Sequence, residues 1–123
     1  MPESKILLVD DDDAVRASLQ FALELQGFEI ETFASAEALT AFASPENPAC
    51  LVLDYRLPGV DGLTLLRALR SLGVTAPAII MTTNPNREVR NEAAALDTIL
   101  IEKPLLGDEL VSAVRASLMI GAA

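Results

Sequence analysis

Five polar residues stand just beyond short apolar runs, and their types suit one chemistry. Asp10 and Asp11 follow Ile6-Leu7-Leu8-Val9, and Asp54 follows Cys50-Leu51-Val52-Leu53. Thr82 follows Ala78-Ile79-Ile80-Met81, and Lys103 comes just past Thr98-Ile99-Leu100-Ile101. Three carboxylates gathered closely repel one another and are driven toward protonation unless a cation neutralises them. A hard divalent ion does so through oxygen ligands, and Mg²⁺ keeps several waters and takes phosphate oxygens as well. Lys103 adds a point charge suited to a phosphoryl group. The Thr82 hydroxyl can donate to a phosphoryl oxygen. Asp54, alone at the end of its run, is the expected nucleophile, and its product would be an aspartyl phosphate.

Taken singly, each residue has a simpler explanation. An aspartate run can be a solvated turn and helix cap, Asp54 can cap a turn, and Lys103-Pro104 can be loop surface. The elements between them bring them together. Continuous apolar runs of this length predict strands buried on both faces. Phe28 to Phe33 alternates instead, which predicts a strand nearer a sheet edge. Helical patterns lie between the strands. The first runs from about Ala14 to Gln26, capped by Asp12 or Asp13 and followed by Gly27. The second opens at Ser35 and stops at Ser44-Pro45 and Asn47-Pro48. The third runs from about Leu63 to Leu72, after a loop marked by Pro58-Gly59 and Asp61-Gly62. Asn84-Pro85 predicts an N-cap and first helical residue for a fourth helix ending near Leu96, and a fifth runs from about Gly107 to Leu118. Strand–helix alternation with right-handed crossovers gives a doubly wound α/β fold, a parallel sheet of five strands with five helices. Ligands in such sheets bind beyond the carboxyl ends of the strands, where all five polar residues fall.

Composition narrows the choice. With 123 residues, 51% of them hydrophobic, the chain is expected to form one domain over 1–123. It carries nine Lys and Arg against eighteen Asp and Glu, a formal charge of −9. That balance argues against direct contact with nucleic acid or an anionic membrane. There is no histidine, which excludes Ser–His–Asp and Cys–His catalysis and a phosphohistidine on this chain. The single cysteine, Cys50, asks for no oxidising compartment. No apolar stretch reaches the length of a membrane-spanning helix, and no signal peptide pattern opens the chain. A cytoplasmic location is the expectation.

In motif and order the chain resembles the receiver domain of bacterial two-component response regulators, the CheY-like fold. The resemblance spans Lys5 to about Leu118 and rests on Leu8-Val9-Asp10-Asp11, Leu53-Asp54-Tyr55-Arg56-Leu57-Pro58-Gly59-Val60-Asp61-Gly62, Ile80-Met81-Thr82-Thr83 and Glu102-Lys103-Pro104-Leu105. Asp11-Asp12-Asp13-Ala14-Val15-Arg16 and the phrase around Arg56-Leu57-Pro58 look most like the FixJ-type subgroup.

The resemblance implies a flavodoxin-like sheet of strand order 2-1-3-4-5. It implies that Asp54 accepts a phosphoryl group from a phosphohistidine on a sensor histidine kinase or phosphotransfer protein. Asp10, Asp11, Asp54 and the backbone carbonyl of Arg56 would hold Mg²⁺, with Asp12 and Asp13 left as helix-start residues. Thr82 and Lys103 would bind phosphoryl oxygens, and Lys103-Pro104 would carry a cis bond. A downstream partner or output domain would read the face made by the fourth helix, fifth strand and fifth helix, in a monomer or a phosphorylation-dependent dimer. Three positions depart from the family pattern. Leu100 replaces the usual Tyr or Phe, Thr83 replaces a smaller residue, and Ala95-Leu96-Asp97 lacks the usual glycine. A small α/β phosphohydrolase with an Asp nucleophile is the alternative, but Arg56 stands where that class needs a second aspartate.

Overall fold

The computed structural model describes residues 5–45, 48–103 and 108–122. A parallel sheet of five strands is formed by β1 (Lys5–Val9), β2 (Glu29–Phe33), β3 (Pro48–Asp54), β6 (Ala78–Thr82) and β7 (Ile99–Glu102), in the order β2-β1-β3-β6-β7. A two-stranded antiparallel hairpin, β4 (Arg56–Leu57) with β5 (Val60–Asp61), lies between β3 and β6 in the chain. Without the hairpin the order is the expected 2-1-3-4-5. Five helices complete the fold: α1 (Asp13–Leu25), α2 (Ala36–Phe42), α3 (Gly62–Ser71), α4 (Arg87–Ala95) and α5 (Glu109–Ala122). The Lys103-Pro104 bond and the start of the last helix at Gly107 lie outside the described residues.

The sheet divides the core in two. Side chains alternate along a strand, so Leu7, Val9, Leu51, Leu53 and Ile80 meet α2, α3 and α4, through Leu39, Leu66 and Ala93 among others. Ile6, Leu8, Val52, Ile79 and Ile101 meet α1 and α5 on the other face, through Leu19, Leu23, Leu110 and Val114. Each central strand is therefore apolar along its buried interior and polar only at an end, at Lys5, Asp54 and Thr82, while the edge strand β2 has no buried residue.

Local chemistry sets the helix ends. Asp12, Ser35, Asp61 and Asn86 each accept a backbone N–H from the first turn of α1, α2, α3 and α4, at 3.0, 3.1, 2.7 and 2.8 Å. Such a cap is worth about 1 kcal/mol. The start of α4 corrects the Asn84-Pro85 expectation: Asn86 is the cap, and Asn84 turns the chain in the left-handed region at φ 52. α4 buries only Val89 and Ala93. Ion pairs Arg67–Glu92 to α3 and Arg90–Glu102 to β7 flank it. Among the described residues no helix is long and apolar enough to cross a membrane.

Candidate functional site

The carboxyl ends of β1, β3, β6 and β7 bring the expected residues together. Asp10 follows β1 and is completely buried, Asp54 ends β3 at 5% exposure, and Thr82 ends β6 at 4%. Burying carboxylates at these levels is unfavourable unless they are paired. Lys103 supplies the pairing, with Nζ 3.1 Å from Asp10 Oδ2 and 3.2 Å from Asp54 Oδ1. It is placed by the end of β7, where its backbone N–H donates to the Thr82 carbonyl at 2.7 Å. Asp11 is exposed, yet it, Asp10 and Asp54 each place a carboxylate oxygen within 4.8 Å of the others.

The four aspartates of the first loop divide the work. Asp10 faces Lys103 and accepts the Asp12 N–H at 2.9 Å. Asp11 points toward the cluster. Asp12 is the cap of α1, and Asp13 pairs with Arg16 at 2.6 Å. In the sequence Arg16 only closes the run that resembles the FixJ-type subgroup. In the structure its Nη1 also donates to the Asp10 carbonyl at 2.8 Å.

Asp54 is electrostatically poised. Burial, with the charge of Asp10 second, pushes its carboxyl up to about 6, against the pull of Lys103 and the Arg56 backbone N–H. For Lys103, burial works against the charged form, but Asp54 and Asp10 outweigh it and raise the pKa above its ordinary value. The cluster thus combines a partly desolvated carboxylate, more basic than an ordinary one, with a firmly protonated amine. Residual negative charge is left for a cation, and an all-oxygen donor set of this kind suits a hard divalent ion. Cys50 is no rival nucleophile, since burial pushes its thiol up to about 12.

Beyond Asp54 the chain turns sharply. Pro58-Gly59, with Gly59 at φ 80, closes the β4–β5 hairpin. The Gly62 N–H then donates to the Tyr55 carbonyl at 2.8 Å, bringing α3 back against β3. Leu100, opposite Ile80 in β7, is half-buried against the core on the α4 face. Thr83 is exposed.

Comparison with known proteins agrees with this geometry. The family model for the response regulator receiver domain matches residues 6–115. The transcriptional regulatory protein FixJ of Azorhizobium caulinodans is 40% identical over 96% of this chain and 57% of its own length. The chain thus spans little more than half of that relative. A crystal structure of FixJ-N superposes with a TM-score of 0.84 at 33% identity, covering 97% of this chain and 96% of that one. A CheY-like receiver domain protein from Methanospirillum hungatei gives 0.89 at 26% identity, over 98% and 97% of the two chains.

Proposed function

As this chain belongs to the response regulator receiver domain family, we propose that it is the phosphoacceptor of a two-component signalling system and that Asp54 is the residue phosphorylated. One observation carries the reading. The Asp54 carboxylate lies at the sheet edge with the Lys103 ammonium 3.2 Å away and two further carboxylates grouped beside it. A carboxylate oxygen of Asp54 attacks the phosphorus of a kinase phosphohistidine. The P–N bond breaks, its electron pair returns to the imidazole nitrogen, and an acyl phosphate remains on Asp54. Lys103 exchanges Asp54 Oδ1 for a phosphoryl oxygen, and the Thr82 hydroxyl donates to another. For the return step, water attacks phosphorus and the Asp54 carboxylate leaves with the bonding pair. Asp10, Asp11, Asp54 and the Arg56 backbone carbonyl would hold Mg²⁺, which supplies positive charge for the phosphoryl oxygens.

The protein acts in this reading as a cytoplasmic switch, not as a metabolic enzyme. Its partners are a sensor histidine kinase or phosphotransfer protein and a downstream partner or output domain on the α4–β7–α5 face. The phosphohydrolase alternative is not favoured, because Arg56 occupies the position of the acid–base aspartate. Incubation with acetyl phosphate and Mg²⁺ should add about 80 Da to the intact mass, the weight of one phosphoryl group. Asp54→Asn should abolish the gain, and an equal gain in that variant would refute the assignment.

A further inference from the structure

Under the proposed function Asp10 and Asp11 must hold a metal ion, and the following rests on that reading. Asp10 is fixed by its contacts with Lys103, the Asp12 N–H and the Phe33 carbonyl. Asp11 is exposed, so its carboxylate is placed by the backbone on either side. That backbone is bridged by one side chain. From α1, Arg16 reaches back with Nη1 to the Asp10 carbonyl at 2.8 Å and with Nη2 to the Asp13 carboxylate at 2.6 Å. Asp11 and Asp12 lie between the two anchor points. The Arg16 side chain is 19% exposed and its bond to the Asp10 carbonyl is part-buried, whereas the Asp13 carboxylate at the other end of the bridge is open to solvent.

We infer that Arg16 is the positioning residue of the metal-binding half of the site. Its fork fixes the peptide that carries Asp11, keeping that carboxylate in range of Asp10 and Asp54. Its charge also offsets the mutual repulsion of four consecutive aspartates. The fork is the part that distinguishes this role from simple neutralisation. A planar guanidinium serves a carbonyl and a carboxylate at once in a fixed geometry, whereas a lysine offers a single, strongly hydrated nitrogen. Lysine would preserve the charge and lose the bridge.

The test is a Mg²⁺ titration of the full chain, followed by the backbone amide resonances of Asp11 and Asp12. Phosphorylation by acetyl phosphate is measured in parallel across the same Mg²⁺ range. Arg16→Lys should raise the Mg²⁺ Kd about tenfold, the low end for loss of a group that orients a ligand. Its phosphorylation rate at saturating Mg²⁺ should stay close to the parent's. Asp13→Ala guards against misfolding, because the Asp13 side chain is 88% exposed and outside the core. Removing that anchor should raise Kd about twofold or more, even in high salt where distant charge is screened. Unchanged Kd values in both variants would overturn the inference, as would a rate loss that saturating Mg²⁺ fails to restore. Failure of the parent itself to bind Mg²⁺ would overturn the proposed function instead.

Discussion

Gly62 stands so close to Asp54 that a Cβ there would lie 2.5 Å from the Asp54 carbonyl oxygen and 3.1 Å from its carbonyl carbon. Both obstructing atoms are backbone, so a side chain at 62 must displace either the end of β3 or the start of α3. Gly62→Ala should therefore destabilise the fold by about 1–3 kcal/mol, the usual cost of overpacking. It should also slow phosphorylation, because the displaced strand end carries Asp54, the proposed phosphoacceptor. Urea unfolding and acetyl phosphate kinetics on the same preparation read both effects. Parent-like behaviour in the two assays would show that the contact is readily relieved.

Neighbouring aspartates should respond differently to the same change. Asp12 Oδ1 accepts the Val15 N–H at 3.0 Å as the cap of α1, while Asp11 faces the carboxylate cluster. Asp12→Ala should cost about 1 kcal/mol of stability with little change in Mg²⁺ affinity. Asp11→Asn should weaken Mg²⁺ binding by about tenfold or more with little change in the melting temperature. The comparison needs only thermal melts and Mg²⁺ titrations, and equal effects on affinity would reverse the assignment of roles.

Asp54 gives a pH dependence of defined sign in metal-free buffer. Its folded pKa of about 6 lies above the ordinary 3.8, so between these values the folded chain binds the proton more tightly than the unfolded chain does. The associated stability is complete below the ordinary value and is lost as pH rises through the folded one. Asp54→Asn removes the carboxylate that burial disfavours. It should stabilise the chelator-treated protein by about 1–2 kcal/mol near neutrality, after discounting for solvent screening. The gain should shrink as pH falls toward the ordinary carboxyl range. Urea midpoints at several pH values follow the trend, and a gain that grew on acidification would contradict it.

Three helices end in the same hydrogen-bond pattern, but one lacks the usual residue. After α1 the N–H of Gly27 bonds Glu24 and that of Phe28 bonds Leu23; after α3 Gly73 bonds Arg70 and Val74 bonds Leu69. After α4 the same bonds run from Asp97 to Ala94 and from Thr98 to Ala93, and Asp97 takes φ 57. A Cβ is strained there, and a negative charge opposes the helix dipole. Asp97→Gly should stabilise the protein by about 0.5–1 kcal/mol. A higher urea midpoint at unchanged slope would register the gain, while a lower one would mean that Asp97 has a favourable contact outside the helix end.

The sheet and the clustering of polar residues at its edge were legible because burial writes a simple pattern. Strands covered on both faces are apolar throughout, so Asp54 and Thr82 stand out where β3 and β6 stop. Finer assignments were hidden for identifiable reasons. Asn84 and Asn86 flank Pro85, and either could cap a helix; only the bond from Val89 to Asn86 selects between them. The β4–β5 hairpin has two residues per strand, too few to show alternation. The roles of Arg16 and Gly62 were hidden because they lie in contacts across turns, with Asp10 and Asp54, that no periodicity encodes.

The shallow seating of α4 bears on where the molecule yields first. α3 buries Gly62, Leu63, Leu65, Leu66 and Leu69, against Val89 and Ala93 alone for α4. The lateral ties of α4 are ion pairs of partly exposed groups, which contribute little and weaken as counter-ions accumulate. Its amide hydrogens should exchange with deuterated solvent well before those of α3, and sooner still at high ionic strength, through openings that leave the sheet intact. A helix attached in this way needs to give up few buried contacts to shift its seating, so a change of one charge at the sheet edge would meet less resistance there than at α3.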